Sequence, residues 1–326
     1  MTQPRYRLVD TQTTPYYHCT SRCVRRAFLF GFDRATRKNF DHRKQWILDR
    51  IKTLSSVFAI DVCAYAVMSN HFHLVLHVDT ERARQWSSDE VIERWLNLYA
   101  GPVVVHRYKA GFVLNQLEQD ALDSIVDIWR ARLADLSWFM RCLNETIARM
   151  ANKEDNCTGR FWEGRFHSQA LLDEAALVSC MAYVDLNPIR AGQCNTLERS
   201  EFTSIKERLE SFAEKPKKAK LNWMAPLASE RKGAAHSLPI EQTDYFALVD
   251  WTGRAVRSDK RGAIPSNVES ILQKLGVEQG RWVNNTHYFG RRFGRAVGCL
   301  NELRKMAVRV EQKWLIGQGQ ARNFYS

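Results

Sequence analysis

The chain has 326 residues, 45% of them hydrophobic, enough for one large domain or two with an ample core. Its 48 Lys and Arg against 36 Asp and Glu give a net charge of +12 spread along the chain, which points to a polyanionic partner such as nucleic acid. No run of 18 apolar residues occurs, the N-terminal residues lack an apolar signal core, and the eight cysteines form no C-x-x-C pair. A cytoplasmic protein with reduced thiols is expected, neither secreted nor membrane-spanning.

Residues 15–24 alternate and are β-rich, which predicts a first strand ending before the turn region around Arg25, Arg26 and 28–32. From Asp41 to Leu54, Trp46, Ile47, Leu48, Ile51 and Leu54 recur at helical spacing, and residues 57–63 then lead into a second alternating stretch. That stretch, Y-A-V-M-S-N-H-F-H-L-V-L-H-V at 65–78, reads as one strand with two faces. Ala66, Met68, Phe72, Leu74, Leu76 and Val78 make a face that is apolar apart from Asn70 and should pack against helices. The other face carries His71 and His73 between Val67 and Val75, with His77 as a rim residue. Imidazoles at i and i+2 point the same way and can grip a metal ion; two histidines on a solvated face would give the same pattern. The first strand should pair with this one, a β, α, β opening of an α+β fold.

Residues 80–130 are helical but broken at Gly101-Pro102 and Gly111, an inserted segment. Residues 133–150 are a better helix, with a stripe of Leu136, Phe139, Met140, Leu143 and Ile147 suited to core. In 156–172, Arg160 and Arg165 interleave with Phe161, Trp162 and Phe166 around Gly159 and Gly164. Such a loop can hold phosphates and stack unpaired bases, or its rings can simply close the core. Asp173 should cap a helix running through Tyr183 to Asn187-Pro188. Asn187 lies one turn beyond Tyr183 and could face the same way, although Asn-Pro could equally start a new turn. A short helix holds Phe202, Ile205, Leu209 and Phe212; K-P-K-K-A-K at 215–220 and residues 225–240 read as an exposed connection. A second basic unit starts near Gln242 with Arg254, Arg257, Lys260 and Arg261, then a capped helix, the arginines 291, 292 and 295, and a last helix near 296–315.

Three of these pieces in order, V-M-S-N-H-F-H-L-V-L, G-R-F-W-E-G-R-F-H-S and Y-V-D-L-N-P-I-R-A-G, resemble the single-tyrosine transposases of the HUH class, in the branch of REP-associated tyrosine transposases. The resemblance covers roughly 15–85 and 133–195, and L-V-D-W-T-G-R-A-V-R-S-D-K-R-G-A-I-P looks like a tail of that branch's longer members. It implies a ferredoxin-like or RRM-like antiparallel sheet with helices on one face, in a catalytic domain over 1–200 that carries a helical insertion at 86–130. A helix and basic linker at 201–241 and a basic, mainly helical accessory domain at 242–326 would follow. It also implies His71 and His73 as ligands of a divalent metal, magnesium or manganese, with Asn187 as a third ligand weaker than a carboxylate. Tyr183 would attack a phosphodiester of single-stranded or hairpin DNA, forming a 5′-phosphotyrosine that a 3′-hydroxyl can later reverse. Arg160, Trp162, Arg165, Arg190, Arg254 and Arg257 are the expected DNA-binding residues, and a homodimer is a further expectation. A domesticated relative that binds DNA hairpins without cutting is the alternative. A zinc hydrolase would need a carboxylate base and another ligand at a recognisable spacing, which the sequence lacks.

Overall fold

The computed structural model describes residues 9–24, 31–33, 37–213, 223–228, 236–255 and 265–324. Arg25, Arg26, the basic run at 215–220, Arg257, Lys260 and Arg261 lie outside the described residues. The N-terminal elements are β1 (Tyr16–Arg22), β2 (Phe32–Asp33), β3 (Lys38–Asn39), α1 (His42–Val57), β4 (Ile60–Val67) and β5 (His71–Val78). Four helices follow, α2 (Thr80–Gln85), α3 (Ser88–Leu96), α4 (Val103–Lys109) and α5 (Gln116–Leu133), and then α6 (Leu136–Glu154), β6 (His167–Leu171) and α7 (Glu174–Asp185). The rest comprises α8 (Asn187–Arg190), α9 (Ser204–Ala213), α10 (Gln242–Ala255), α11 (Ser266–Lys274), α12 (Gln279–Arg292), β7 (Ala296–Val297), α13 (Leu300–Arg309) and α14 (Gln318–Phe324).

The main sheet runs β4-β5-β1-β6-β7, antiparallel except for the final β6–β7 pair. Its first four strands, with α1 after β1 and α6 before β6, make the βαββαβ arrangement of a ferredoxin-like fold, so the α+β expectation holds. Both helices of that unit share one face. Ser21 sits opposite Phe72 on neighbouring strands; Asn144 of α6 donates to the Ser21 hydroxyl at 2.9 Å, and Trp162 packs edge-on against Phe72. α1 packs on α6, and the buried Arg43 of α1 ties the two together through Glu154 and Asp155. Removing one partner from such a pair leaves a buried charge uncompensated, a loss of about 3–5 kcal/mol.

The opposite face bears the histidines, and it is covered too, by α7. Every residue of α7 after Glu174 is buried, as a helix that is apolar all round requires cover on both sides. The sheet is one cover; α10 and α12 from the C-terminal segment are the other. Gly253 of α10 lies so close to Leu186 that a Cβ there would come within 2.9 Å of its Cδ2. Asp185 is buried between them, accepting hydrogen bonds from the Tyr245 and Ser204 hydroxyls and from Ile205 N–H at 2.9 Å.

Residues 65–78 are not one strand. Ser69 and Asn70 form the turn of the β4–β5 hairpin, with Met68 N–H donating to His71 C=O at 2.9 Å. The turn reverses the chain, so Ala66 pairs with His73 on the histidine face and Val67 with Phe72 on the other, the reverse of a straight alternation. His167–Leu171 is a strand, which the arginine-rich run before it hides from the sequence reading. The described parts of 225–240 are not an exposed connection: Ala225, Leu227, Leu238 and Ile240 are buried. Ala225 N–H donates to Val62 C=O at 2.8 Å, and Ser204 and Phe202 bond Tyr65 and Val67, so the outer edge of β4 is capped along its length. The helix at Ser266–Lys274 begins after Pro265 without a side-chain cap.

Candidate active site

His71 and His73 stand on β5, opposite Arg22 and Thr20 of β1, and His18 comes up beside them on the same face. The ring centroids of His71 and His73 are 4.8 Å apart, and those of His18 and His73 are 5.1 Å apart. Tyr183 descends from α7 and meets both inner histidines edge-on, 5.5 Å from His73 and 5.9 Å from His18. The position follows from helix spacing: an Asp173 cap, whose carboxylate accepts from Ala176 N–H at 2.8 Å, fixes the start of α7 and hence the phase at which residue 183 faces the sheet.

The hydrogen bonds assign a tautomer to each ring, to His18 and His73 from the Gln169 oxygen and to His71 from the Asn70 oxygen. Gln169 on β6 donates its amide to the carbonyls of Phe293 and Gly294, at 3.2 and 2.8 Å, so its oxygen faces His18. His18 therefore donates from Nδ1 to that oxygen, at 3.4 Å, and its Nε2 accepts from His73 Nδ1 at 2.9 Å. A lone pair is left on His73 Nε2, which is buried and has no partner among the described residues. His71 donates from Nδ1 to Asn70 at 2.6 Å, again leaving Nε2 as the acceptor. Burial keeps all three rings neutral: it pushes His18 and His71 down to about 4, and His73 well below the usual imidazole value, with neighbouring histidines and Arg22 adding to the shift.

Neutral imidazoles are what a metal ion needs, and the buried lone pair on His73 is the feature that fits one. Among the described residues no group of three or more His, Cys, Asp and Glu side chains converges as a complete metal cage. Asn187 opens α8 with Pro188 just inside it and is buried, with its amide nitrogen unpartnered. Because amide orientation is assigned from its partners, the same group turned over would offer an oxygen.

Arg190 is part of the cluster. Its guanidinium carbon sits 4.6 Å from the centre of the Tyr183 ring, Nη2 donates to His287 C=O at 2.6 Å, and Nε is buried without a partner among the described residues. Phe289 of α12 stacks on the same ring at 5.3 Å, and Gly290 beside it leaves no room for a Cβ, which would fall 2.7 Å from the phenol oxygen. Tyr183 is 8% exposed as a result.

The other expected residues are dispersed. Trp162 belongs to the core: it is 8% exposed, packs on Phe72 and Phe161, and donates its indole N–H to Asn144 C=O at 2.8 Å, which leaves little of the ring for a stacking base. Phe161 is buried as well. Arg160 and Arg165 are exposed on the loop around it. Arg254 is on the outer side of α10, ion-paired with Asp250 at 2.7 Å. Sequence reasoning missed His18, Gln169 and Phe289, single residues that carry no motif of their own.

No protein-family model matches the chain, and no curated protein does. Among solved structures it is similar to a REP-associated tyrosine transposase bound to a REP hairpin, at 12% identity and a TM-score of 0.36 over 61% of this chain and 81% of that one. Similarity at that level bears on neither activity nor site. Among the described residues no helix is long and apolar enough to cross a membrane.

Proposed function

We propose that the protein is a DNA strand transferase that cleaves single-stranded or hairpin DNA through Tyr183, as the three-motif resemblance implies. One observation carries this reading: motifs far apart in the chain meet, with Tyr183 packed edge-on against His73 and under the Arg190 guanidinium. In the reaction the phenol oxygen bonds to the scissile phosphorus, the bond from phosphorus to the 3′-oxygen breaks, and that oxygen takes a proton to leave a 3′-hydroxyl. The phenol proton passes to solvent, and attack by a 3′-hydroxyl reverses the step without ATP. Arg190 Nε is a donor without a partner, suited to a phosphate oxygen beside the tyrosine. Gln169 and His18 hold the His73 ring in one tautomer and orientation. A divalent metal held by His71, His73 and Asn187 would polarise the phosphate; nitrogen donors suit manganese better than magnesium, which prefers oxygen ligands.

The alternative, a hairpin-binding protein that does not cut, is favoured by a different observation. Gly290 packs against the phenol oxygen and Tyr183 is 8% exposed, which leaves little open space beside the oxygen for a phosphate. A denaturing gel of labelled hairpin oligonucleotides incubated with protein and manganese distinguishes the two. Cleavage gives a covalent adduct in wild type and none in Tyr183→Phe; binding without any adduct establishes the alternative.

A further inference from the structure

On the sheet face away from Tyr183, α6 and the loop that follows Trp162 line an open cavity of about 400 Å³. That is within the range of small-molecule sites, and no residue in it takes part in the cluster around the tyrosine. Its interior is apolar, with Trp162 and Ala148 among the lining and the half-buried Phe166 as a wall. Two cations, Arg141 and Arg165, share the lining with one carboxylate, Glu145, which pairs with Arg141 at 3.4 Å and with Arg149 outside the cavity at 2.5 Å. A guest that matches is flat and apolar in its body and anionic where it leaves.

The position of the loop relates the cavity to the tyrosine. Trp162 bridges Cys23, Glu163 N–H donates to Arg22 C=O at 2.8 Å, and Cys23 N–H donates to Asn70 C=O at 3.0 Å. Arg22 is the direct neighbour of His71 across the strands. The cavity wall therefore hangs from the same end of the sheet as the histidine pair, one face over. A flexible single strand can turn across that end.

We propose that this cavity is a subsite for one unpaired nucleobase of the DNA strand that feeds Tyr183, with the adjoining phosphates at Arg141 and Arg165. The proposal rests on the strand-transferase reading for its ligand, and the stacking that holds the base comes from Phe166 and the apolar cavity interior.

Single-stranded oligonucleotides in which one abasic residue is moved position by position test it, with affinity read by fluorescence anisotropy. Wild type should lose about 10-fold at one position, the scale of stacking a single base. Ala148→Trp, which fills the cavity, should bind the intact oligonucleotide about 10-fold more weakly and be indifferent to the abasic residue at that position alone. Ala148→Leu, a smaller filling, should fall between, and circular dichroism selects the variants that fold. A flat abasic profile in wild type, or a wild-type profile retained by the filled variants, overturns the proposal. A flat profile alongside a Tyr183 adduct removes the subsite alone. A position-specific loss without an adduct supports the subsite and removes the cleavage reading.

Discussion

Gly290 of α12 meets the Tyr183 hydroxyl so closely that a Cβ built on it would lie 2.7 Å from the oxygen and 3.4 Å from Cζ. Gly290→Ala in the wild-type background forces the phenol or the helix aside, an overpacking cost of about 1–3 kcal/mol. Against this stands the gain of about 1 kcal/mol from replacing glycine in a helix with alanine. The net effect should be between about 0 and 2 kcal/mol of destabilisation. In a Tyr183→Phe background the nearest atom is Cζ at 3.4 Å, an ordinary contact, and the same substitution should stabilise by up to about 1 kcal/mol. The coupling in the double-mutant cycle is then about 1–3 kcal/mol, measured by urea denaturation of the four proteins followed by tryptophan fluorescence. Equal effects of Gly290→Ala in both backgrounds, within about 0.5 kcal/mol, would refute the seating of α12 on the phenol.

Asp185 is raised to about 6 by burial, against its hydrogen bonds from Ser204, Tyr245 and Ile205 N–H and the Arg208 charge. The folded state then holds a proton that the unfolded chain releases near ~3.9, so stability falls as pH rises from about 4 to about 6 and stays lower above it. The stability difference between wild type and Asp185→Asn should shift by about 2 kcal/mol against wild type between pH 4 and 7 in denaturant titrations; a constant difference would contradict the assignment. His18→Ala, which leaves His73 without its Nδ1 acceptor, should weaken manganese binding about 10- to 100-fold by calorimetry, while an unchanged affinity would deny His18 its positioning role. Trp162→Ala should cost about 3–5 kcal/mol of stability by thermal or chemical unfolding, as a core aromatic does; a loss under 1 kcal/mol would return the ring to the surface.

His71 and His73 were legible as a pair because they lie two apart in a locally alternating run, and the tyrosine helix because the Asp173 cap and Asn187-Pro188 bound it. Ser69-Asn70 was missed because Ala66 and Met68 continue the alternation across the turn. His18 and Gln169 could not be read at all: a single polar residue in a strand acquires meaning only when pairing brings His73 beside it. Phe161 and Trp162 illustrate a different limit, since the composition of a stacking loop and of a core plug is the same and only burial separates them. One signal was present and unused. From Ala175 to Val184 the tyrosine helix has no charged residue on any side, which requires a second cover beyond the sheet, and α10 and α12 supply it.

The parallel pairing of β6 with β7 also bears on how the protein is made. Ala170 and Leu171 find their partners, Ala296 and Val297, only near the end of the chain. During synthesis the emerging polypeptide therefore holds β6 as an open edge, and α7 with its outer side bare, through all the residues between. Such long-range closure is slow, and an unpaired edge is a template for a second copy. A ribosome that stalls or a message cut short in that interval yields a sticky, half-built molecule, so the dependence on the final strands places the hazard of this fold in its biogenesis.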